Sequence, residues 1–289
     1  MSVTTQTKAL TVRAVLAHAG AGGVRGPLAR LARGAGRFLL ALLTRTGAVL
    51  LLLALWEVAP RAGLVDRTFL PPLHEVAAAW WDLLESGQLA SDARASLARS
   101  GAGFGLAVLI AVPLGLLIGW YRWVADALTP VLEVFRNTAA LALLPVFVLL
   151  LGIGETSKIS IVLYACAWPI LLNTISAVRT VDPTLLRLAR SMDLPTPQLF
   201  RKVILPASLP TVFTGIRLSG GVAILVLIAA EMVGAKAGLG YLVNSSQFNF
   251  AIPQMYAAIV TVSAIGVTFN QLLLTVERRL TAWRPATGN

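Results

Sequence analysis

Long uncharged, apolar stretches alternate with short charged segments along the chain. A helix that crosses a membrane needs about 20 mostly apolar residues, and stretches close to that length recur along the sequence. The pattern predicts six transmembrane helices, over residues 37–57, 100–121, 133–154, 159–178, 211–233 and 254–276. Between the last two, glycine, asparagine and proline interrupt the apolar sequence. We therefore expect an all-α, polytopic membrane protein.

The composition agrees with this pattern. Hydrophobic residues make up 57% of the 289 residues and charged residues only 13%, whereas a typical soluble domain carries about 25% charged residues. This argues against a soluble enzyme, a disordered protein and a nucleic-acid-binding domain, so no nucleic acid partner is expected despite a net charge of +11. One cysteine and two histidines leave no disulfide framework, no cysteine metal cluster and little for histidine-based catalysis. We predict no catalytic residue and no metal site.

The two ends of the chain are predicted to lie outside the membrane. Residues 1–36 contain several arginines and glycines and lack the compact apolar core of a signal peptide. They are predicted to form a flexible, basic cytoplasmic tail; alternatively, residues 12–37 form a basic helix on anionic lipid. Residues 37–285 are the predicted transmembrane domain, and residues 286–289 are a short tail.

The basic residues predict the orientation of the chain. With the N-terminus inside, 15 of the 24 lysines and arginines fall in cytoplasmic segments and six in outer segments. Because basic residues are in excess in cytoplasmic loops, both termini are expected in the cytoplasm. The protein itself is expected in the plasma (inner) membrane. The outer loop 60–96 contains an amphipathic pattern over residues 72–84, with apolar residues at helical spacing: Val76, Trp80, Leu83 and Leu84.

The cytoplasmic loop 179–210 contains two helix-start signals. Asp182-Pro183 and Thr196-Pro197 each place an N-cap residue before a proline at the first helical position. Pro206 and Pro210 are predicted to end the second helix. One apolar face is predicted on each helix: Leu185, Leu188, Ala189 and Met192 on the first; Leu199, Phe200, Val203 and Ile204 on the second. These faces predict a docking element; alternatively, both helices lie on the membrane surface.

The same loop resembles the cytoplasmic "EAA" loop of ABC-importer permeases. Residues 187–189 take the Glu-Ala-Ala positions, Asp193 takes the glycine position, and residues 204–206 match the Ile-Leu-Pro end. Two residues depart from the motif, because Arg187 replaces glutamate and Asp193 replaces glycine. Aspartate tolerates a left-handed turn better than most residues, so the turn can be kept at Asp193. The changed charge at Arg187 must be matched by the surface of the ATPase that such a loop contacts.

Further segments are similar to permeases of the nitrate/sulfonate/taurine importer group. They include LeuAlaLeuLeuProValPhe (141–147), AlaAlaGluMetValGlyAla (229–235) and GlyLeuGlyTyrLeuVal (238–243), and the resemblance covers residues 45–285. It implies a type I importer permease fold with a coupling-helix loop. It also implies a second permease copy, giving a homodimer, two ATPase subunits and an extracytoplasmic substrate-binding protein.

The resemblance assigns coupling to the ATPase to eight residues of the loop: Arg187, Leu188, Ala189, Asp193, Leu199, Phe200, Ile204 and Pro206. The chain has no GxxxxGK[ST] phosphate loop. We therefore expect a permease that is not itself an enzyme and holds no cofactor, because ATP is bound by the partner subunit.

Polar residues within the predicted helices are candidates for the solute pathway or a gate. A charge at the membrane centre is costly and usually faces the protein interior; the candidates are Arg136, Asn137, Asn173 and Glu231. The guanidinium of Arg136 suits sulfonate or nitrate oxygens; alternatively, Arg136 pairs with Glu133 or Glu231 and stabilises packing. Five glycines are expected to allow close packing of the second helix: Gly101, Gly103, Gly105, Gly115 and Gly119.

The predicted function is the permease subunit of an ABC importer for a small anion, with aliphatic sulfonate or taurine favoured over nitrate. Two alternatives belong to other classes. A membrane-embedded enzyme would need a nucleophile with a base, paired aspartates or metal ligands. An ATP-independent secondary transporter would be expected to show an inverted repeat.

Overall fold

The computed structural model describes residues 47–280, and every element of regular structure in that range is helical. The first helix is described over residues 47–61. The next five are α2 (Leu73–Glu85), α3 (Gln88–Trp120), α4 (Arg122–Arg136), α5 (Leu144–Leu151) and α6 (Glu155–Arg179). They are followed by α7 (Pro183–Ser191), α8 (Thr196–Leu199), α9 (Leu205–Glu231), α10 (Leu239–Phe248) and α11 (Ile252–Leu280). A 3₁₀ turn, Ala140–Leu143, precedes α5, and a π turn, Phe200–Ile204, joins α8 to α9.

Four helical segments within residues 47–280 are long and apolar enough to cross a membrane. They are α3, α6, the continuous segment Thr196–Glu231, and α11. They correspond to the second, fourth, fifth and sixth predicted spans. The 37–57 span falls partly outside the described residues, and its described part is helical. A total of six spans stays a prediction.

The third predicted span, residues 133–154, is not one straight helix but falls on two apolar helical segments joined by a sharp bend. Helix α4 ends at Arg136, and the axis turns by 81° before the segment Ala140–Leu151. The cause lies in two polar residues at the break. The Asn137 amide donates to the Glu133 carbonyl (2.7 Å), and the Thr138 hydroxyl donates to the Val134 carbonyl (3.0 Å). They satisfy carbonyls at the end of α4 and favour termination there.

Of the described residues, 47–64 belong to one compact unit and 65–280 belong to a second. In the described part of the first unit, an ion pair joins Arg61 to Glu57 (2.5 Å) on one helix face. The core of the second unit lies where α6 packs between α3 and α9, around residues such as Val162, Cys166 and Leu227.

Glycines set the spacing between α3 and α6, as expected from their positions. A β-carbon at Gly103 would lie 2.7 Å from the Val162 β-carbon, and one at Gly115 would lie 2.6 Å from the Thr174 β-carbon. By contrast, positions 101 and 105 have open space beside them. Helices α6 and α9 are also joined directly, because the Ser219 hydroxyl donates to the Cys166 carbonyl (3.0 Å). Such small residues and interhelical hydrogen bonds are typical of helix packing in membranes.

The amphipathic pattern over residues 72–84 forms a helix, α2, as predicted. Val76 and Leu83 are buried, whereas Leu84 of the same predicted face is exposed. The Trp80 indole donates to the Thr261 hydroxyl of α11 (3.0 Å). Helix α2 is therefore attached to α11 by packing and by one specific hydrogen bond.

Candidate functional site

Helix α7, the first helix of the 179–210 loop, begins where the sequence predicts. The Asp182 carboxylate accepts a hydrogen bond from the Thr184 backbone N–H (2.7 Å), and Pro183 occupies the first turn. This bond holds the pKa of the Asp182 carboxyl below its ordinary value, so the cap stays ionised at neutral pH. An N-cap of this kind satisfies a backbone N–H that has no partner within the helix, and so favours a helix start at this residue.

The exit from α7 explains the aspartate at position 193. Asp193 adopts a left-handed backbone conformation (φ 50°). Its N–H bonds to the Arg190 carbonyl (3.0 Å), and the next N–H, from Leu194, reaches back to the Ala189 carbonyl (3.3 Å). This is the usual way in which a helix ends on a glycine, and aspartate is one of the few other residues that adopt it at modest cost.

The predicted apolar face of α7 is divided between two directions. Ala189 is buried, only 3% exposed, and Leu186 packs inward beside it against the loop's own core. An exposed stripe remains, with exposed fractions of 43%, 58% and 65%: Leu185, Leu188 and Met192. Ala189 therefore does not lie on the exposed face of Leu185, Leu188 and Met192 with which the sequence pattern groups it, because it points to the same side of the helix as Leu186.

The second loop helix does not end at the prolines, so that prediction is also wrong. Helix α8 begins after an N-cap at Pro195 rather than Thr196, and the chain stays helical to Glu231. The π turn supplies the reason. In it the Leu205 N–H bonds to the Phe200 carbonyl, five residues back, and Pro206 follows in the first turn of α9. A wider turn accommodates a residue that has no N–H to donate.

The apolar face of this second helix packs on the protein itself. Leu199, Phe200 and Ile204 join a cluster with Val178 and Val181. The Phe200 ring also meets the Trp120 ring edge to face, with centroids 5.1 Å apart. These contacts fix the loop to the ends of α3 and α6. Of the two helices of loop 179–210, α7 is the one with an exposed apolar stripe.

At the opposite end of α6 and α9, a buried arginine joins four segments of the chain. The Arg99 side chain is 8% exposed, and its Nη1 donates to Glu231 Oε1 (2.6 Å). The same nitrogen donates to the Ala237 carbonyl (2.6 Å). Along another edge of the guanidinium, Nε and Nη2 donate to the two carboxylate oxygens of Glu155, with Nη2–Oε1 at 2.7 Å. Arg99 thus connects α3, the start of α6, the end of α9 and the segment before α10.

The carboxylate of Glu231 has no exposed surface, and its oxygens are fully used. Besides Arg99, it accepts from the Ser96 hydroxyl (2.7 Å) and the Gly240 N–H (3.0 Å). Two negative side chains therefore face the N-terminus of α10, since Asp92 accepts from the Gly238 N–H (2.8 Å). Such placement is favoured by the helix dipole. We call Asp92, Ser96, Arg99, Glu155 and Glu231 the Arg99 cluster.

Glycine is required where the Arg99 cluster meets the chain before α10. Gly238 has φ +124°, a conformation that other residues rarely adopt, and a β-carbon there would overlap the Glu231 carboxylate. Glycine at position 238 therefore lets the backbone lie close enough to the Glu231 carboxylate for the Gly240 N–H to donate to it.

The sequence prediction included Glu231 but not its partners. In the sequence-based orientation, Arg99 is one of the six basic residues of the outer segments, just before the predicted span 100–121. The signal that could have found the cluster is the spacing of Asp92, Ser96 and Arg99, because intervals of four and three residues place polar side chains on one face of a helix. Glu231, the partner of Ser96 and Arg99, is more than 130 residues away from them in sequence, and no local pattern indicates it.

The other pathway candidates do not converge on one site. Arg136 lies at the end of α4, 48% exposed, and pairs with Glu133 (3.3 Å). Asn137 is exposed beside it. Asn173 is half-buried in α6, where its amide donates to the Pro169 carbonyl (2.8 Å). Near the loop end, Arg217 of α9 pairs with Glu277 of α11 (3.5 Å). Residues 47–280 contain no group of three His, Cys, Asp or Glu side chains that could hold a metal ion.

Comparison with known proteins gives three findings. The profile of the family described as "Binding-protein-dependent transport system inner membrane component" matches residues 111–282. A probable ABC transporter permease protein of Brucella abortus (strain 2308) is 37% identical over 202 residues, which are 70% of this chain and 81% of that protein. A putative aliphatic sulfonates transport permease protein of Bacillus subtilis (strain 168) is 32% identical over 233 residues, 81% of this chain and 84% of that one.

Among solved structures, a chain of the MetNI methionine ABC transporter, crystallised in inward-facing conformations, is similar with a TM-score of 0.56. The similarity covers 68% of this chain and 98% of that chain at 19% sequence identity. At that identity the likeness concerns the fold alone.

Proposed function

Because the chain belongs to the family of binding-protein-dependent transport system inner membrane components and is the permease subunit of an ABC importer, we propose that its loop 179–210 docks on the ATPase subunit. The observation that carries this proposal is the exposed apolar stripe of α7. It stands on a short helix that is capped at its start and closed by a left-handed turn at its end. A rigid apolar element outside the spans is suited to docking.

The helix that follows α7 gives the loop a means of transmitting movement. Thr196–Glu231 is continuous over 36 residues, and its loop end is packed against α3 and α6 through Phe200. A displacement of the loop would therefore move the fifth predicted span as a lever rather than bend a hinge. ATP, bound by the partner, would favour one of two positions of this lever and so bias the pathway.

The eight loop residues divide into three roles in this proposal. Arg187 and Leu188 contact the ATPase. Ala189 and Asp193 fix the position and end of α7. The remaining four, Leu199, Phe200, Ile204 and Pro206, hold the second loop helix to the spans. The permease needs no cofactor of its own, since ATP belongs to the ATPase.

The assembly we propose contains two copies of this chain, two ATPase subunits and an extracytoplasmic substrate-binding protein. Both termini of each permease lie in the cytoplasm, which the excess of basic residues on that side supports. The Arg99 cluster then lies at the outer end, where Glu231 fastens the segment before α10 and supports an outer gate without touching the solute.

We propose an aliphatic sulfonate, such as taurine, as the solute. The similarity to the putative aliphatic sulfonates transport permease protein of Bacillus subtilis supports this class, and so does the exposed guanidinium of Arg136, which can bind sulfonate oxygens in a bidentate manner. Asn137, next to Arg136, and Asn173, at a separate place in α6, are the further polar residues proposed along the pathway.

The solute is tested by reconstituting the permease with its own ATPase and binding protein. Taurine, a longer alkanesulfonate and nitrate are each added, and ATP hydrolysis is measured. We expect a sulfonate to stimulate hydrolysis and nitrate to have little effect. Stimulation by nitrate alone would reverse the assignment, and an absence of any ATPase in the purified complex would overturn the importer assembly itself.

Leu188→Asp is predicted to weaken association with the ATPase by at least about tenfold, because a charge would replace the centre of the docking stripe and be desolvated on binding. Co-purification of the ATPase and coupled ATP hydrolysis measure the effect. The matched control is Leu84→Asp, the same change at an exposed leucine of α2, which should leave association unchanged. An intact complex with Leu188→Asp would remove α7 from the interface.

Arg136→Ala is predicted to lower solute uptake about tenfold while the complex still assembles, because a guanidinium that binds the anion would be lost. Arg136→Lys should keep part of the uptake. Glu133→Gln serves as control, since it breaks the same ion pair but leaves the guanidinium in place. If Arg136→Ala and Glu133→Gln reduce uptake equally, Arg136 acts through its ion pair and not on the solute.

A further inference from the structure

We propose that the ATPase surface that receives α7 is a cleft with one apolar wall and one acidic wall. This inference rests on the proposed function, in which loop 179–210 docks on the ATPase, and it adds the chemistry of the partner. It comes from two observations: the direction in which α7 faces the rest of the protein, and the charges of the exposed side chains of the loop.

The buried residues of α7 fix its orientation. Successive side chains of an α-helix are rotated by about 100°. Leu186 and Ala189 point toward the protein, so the opposite direction faces a partner. Leu188 and Arg187 then lie about 50° to either side of that outward direction, and both are exposed. A partner that approaches α7 must contact both of them at once.

The two sides of the outward face differ in chemistry. On one side Leu188 continues into the apolar stripe with Leu185 and Met192. On the other side Arg187 is followed by Arg190, which is also exposed. The line between them is formed by small polar residues, Thr184 and Ser191. The docking face is therefore divided lengthwise into an apolar half and a basic half.

The basic half needs carboxylates on the partner. Loop 179–210 carries five exposed cations against two acids; the cations are Arg179, Arg187, Arg190, Arg201 and Lys202, and the acids are Asp182 and Asp193. Of the cations, Arg179 already pairs with Asp126 (4.0 Å). One of the acids, Asp182, already caps α7. An arginine that is covered on docking is strongly unfavourable unless it is paired and hydrogen-bonded. A carboxylate matches the planar fork of a guanidinium best. Position 187 is glutamate in the motif that this loop resembles, so the acidic wall would be a property of this chain's own partner.

A crosslinking experiment tests the acidic wall directly. Arg187→Lys keeps the positive charge and adds a primary amine, which a carbodiimide joins only to a carboxylate within contact distance. The full-length permease is co-purified with its ATPase, crosslinked and analysed by peptide mass spectrometry. We expect a crosslink from position 187 to an aspartate or glutamate of the ATPase. Arg122→Lys, an exposed arginine outside the loop, is the matched control and should give none.

Charge reversal provides the second arm. Arg187→Glu should weaken association with the ATPase about tenfold or more, because like charges would then face each other. Changing the crosslinked carboxylate of the ATPase to lysine should restore it. Wild-type affinity in Arg187→Glu, or an assembled Arg187→Lys complex without a crosslink, would overturn the acidic wall while leaving docking intact.

Two outcomes separate this inference from its alternatives. If the wild-type permease binds no ATPase at all, the proposed docking function is wrong, and the inference about the acidic wall is overturned with it. If α7 instead lies on lipid, carbodiimide gives no ATPase crosslink, and the Arg187→Glu defect appears only in nanodiscs that contain anionic lipid. That result would assign the basic half to the membrane surface and overturn the inference.

Discussion

Arg99→Ala is expected to destabilise the protein by about 3–5 kcal/mol, which is the general cost of removing one partner of a buried ion pair. The Glu231 carboxylate would remain with no exposed surface and without the guanidinium that now donates to it, so that only the more distant charge of Lys158 would offset its own. The Ala237 carbonyl would lose a donor as well. We expect a lower unfolding temperature in detergent, loss of hydrogen-exchange protection at the start of α10, and no measurable transport.

Two variants separate charge from packing in this prediction. Glu155→Gln removes the exposed acid of the cluster, whose side chain is 62% exposed, and should cost no more than about 1 kcal/mol. The double variant Arg99→Met/Glu231→Gln removes both charges of the Arg99–Glu231 ion pair and keeps an oxygen for Ser96 and Gly240, so it should be more stable than Arg99→Ala alone. A stability of Arg99→Ala equal to wild type would show that water reaches Glu231.

The features of loop 179–210 that could be predicted from sequence are those set by contacts between residues close together in the chain. The start of α7 at Asp182 and its left-handed exit at Asp193 follow from bonds within a few residues, and the sequence contains everything that determines them. The direction of Ala189 depends on which side of α7 meets the spans, and that is a tertiary contact. The predicted helix end at Pro206 is wrong because the π turn before it lets the helix continue through a proline, and a π turn has no sequence signature of its own.

The same distinction holds for the spans. Their apolar length is a property of each segment, so four of them could be located from hydrophobicity alone. The break after Arg136 depends on how Asn137 and Thr138 use their side chains, since both residues also occur inside membrane helices with their polar groups bonded back to the same helix. The Arg99 cluster required the fold itself, because its acids come from three helices.

Gly103→Leu is expected to cause the second large effect, separation of α3 from α6. Even a β-carbon at position 103 would lie 2.7 Å from the Val162 β-carbon and 2.8 Å from the Ile159 carbonyl oxygen. One of these is backbone and cannot turn away, so the helices must move apart. Overpacking of this kind costs about 1–3 kcal/mol or more, and the packing on the α6 side of the core would be lost with it. Reduced yield of folded protein and a lower unfolding temperature measure the effect.

Gly105→Leu provides the matched control, on the same helix and two residues away. Open space surrounds position 105, and leucine has a higher helix propensity than glycine by up to about 1 kcal/mol, so stability of the isolated permease should be unchanged or raised. If Gly105→Leu is harmless in the isolated chain but blocks assembly of the importer, this side of α3 is covered by another subunit. Equal damage from both variants would mean that glycine is needed in α3 for a reason other than contact with α6.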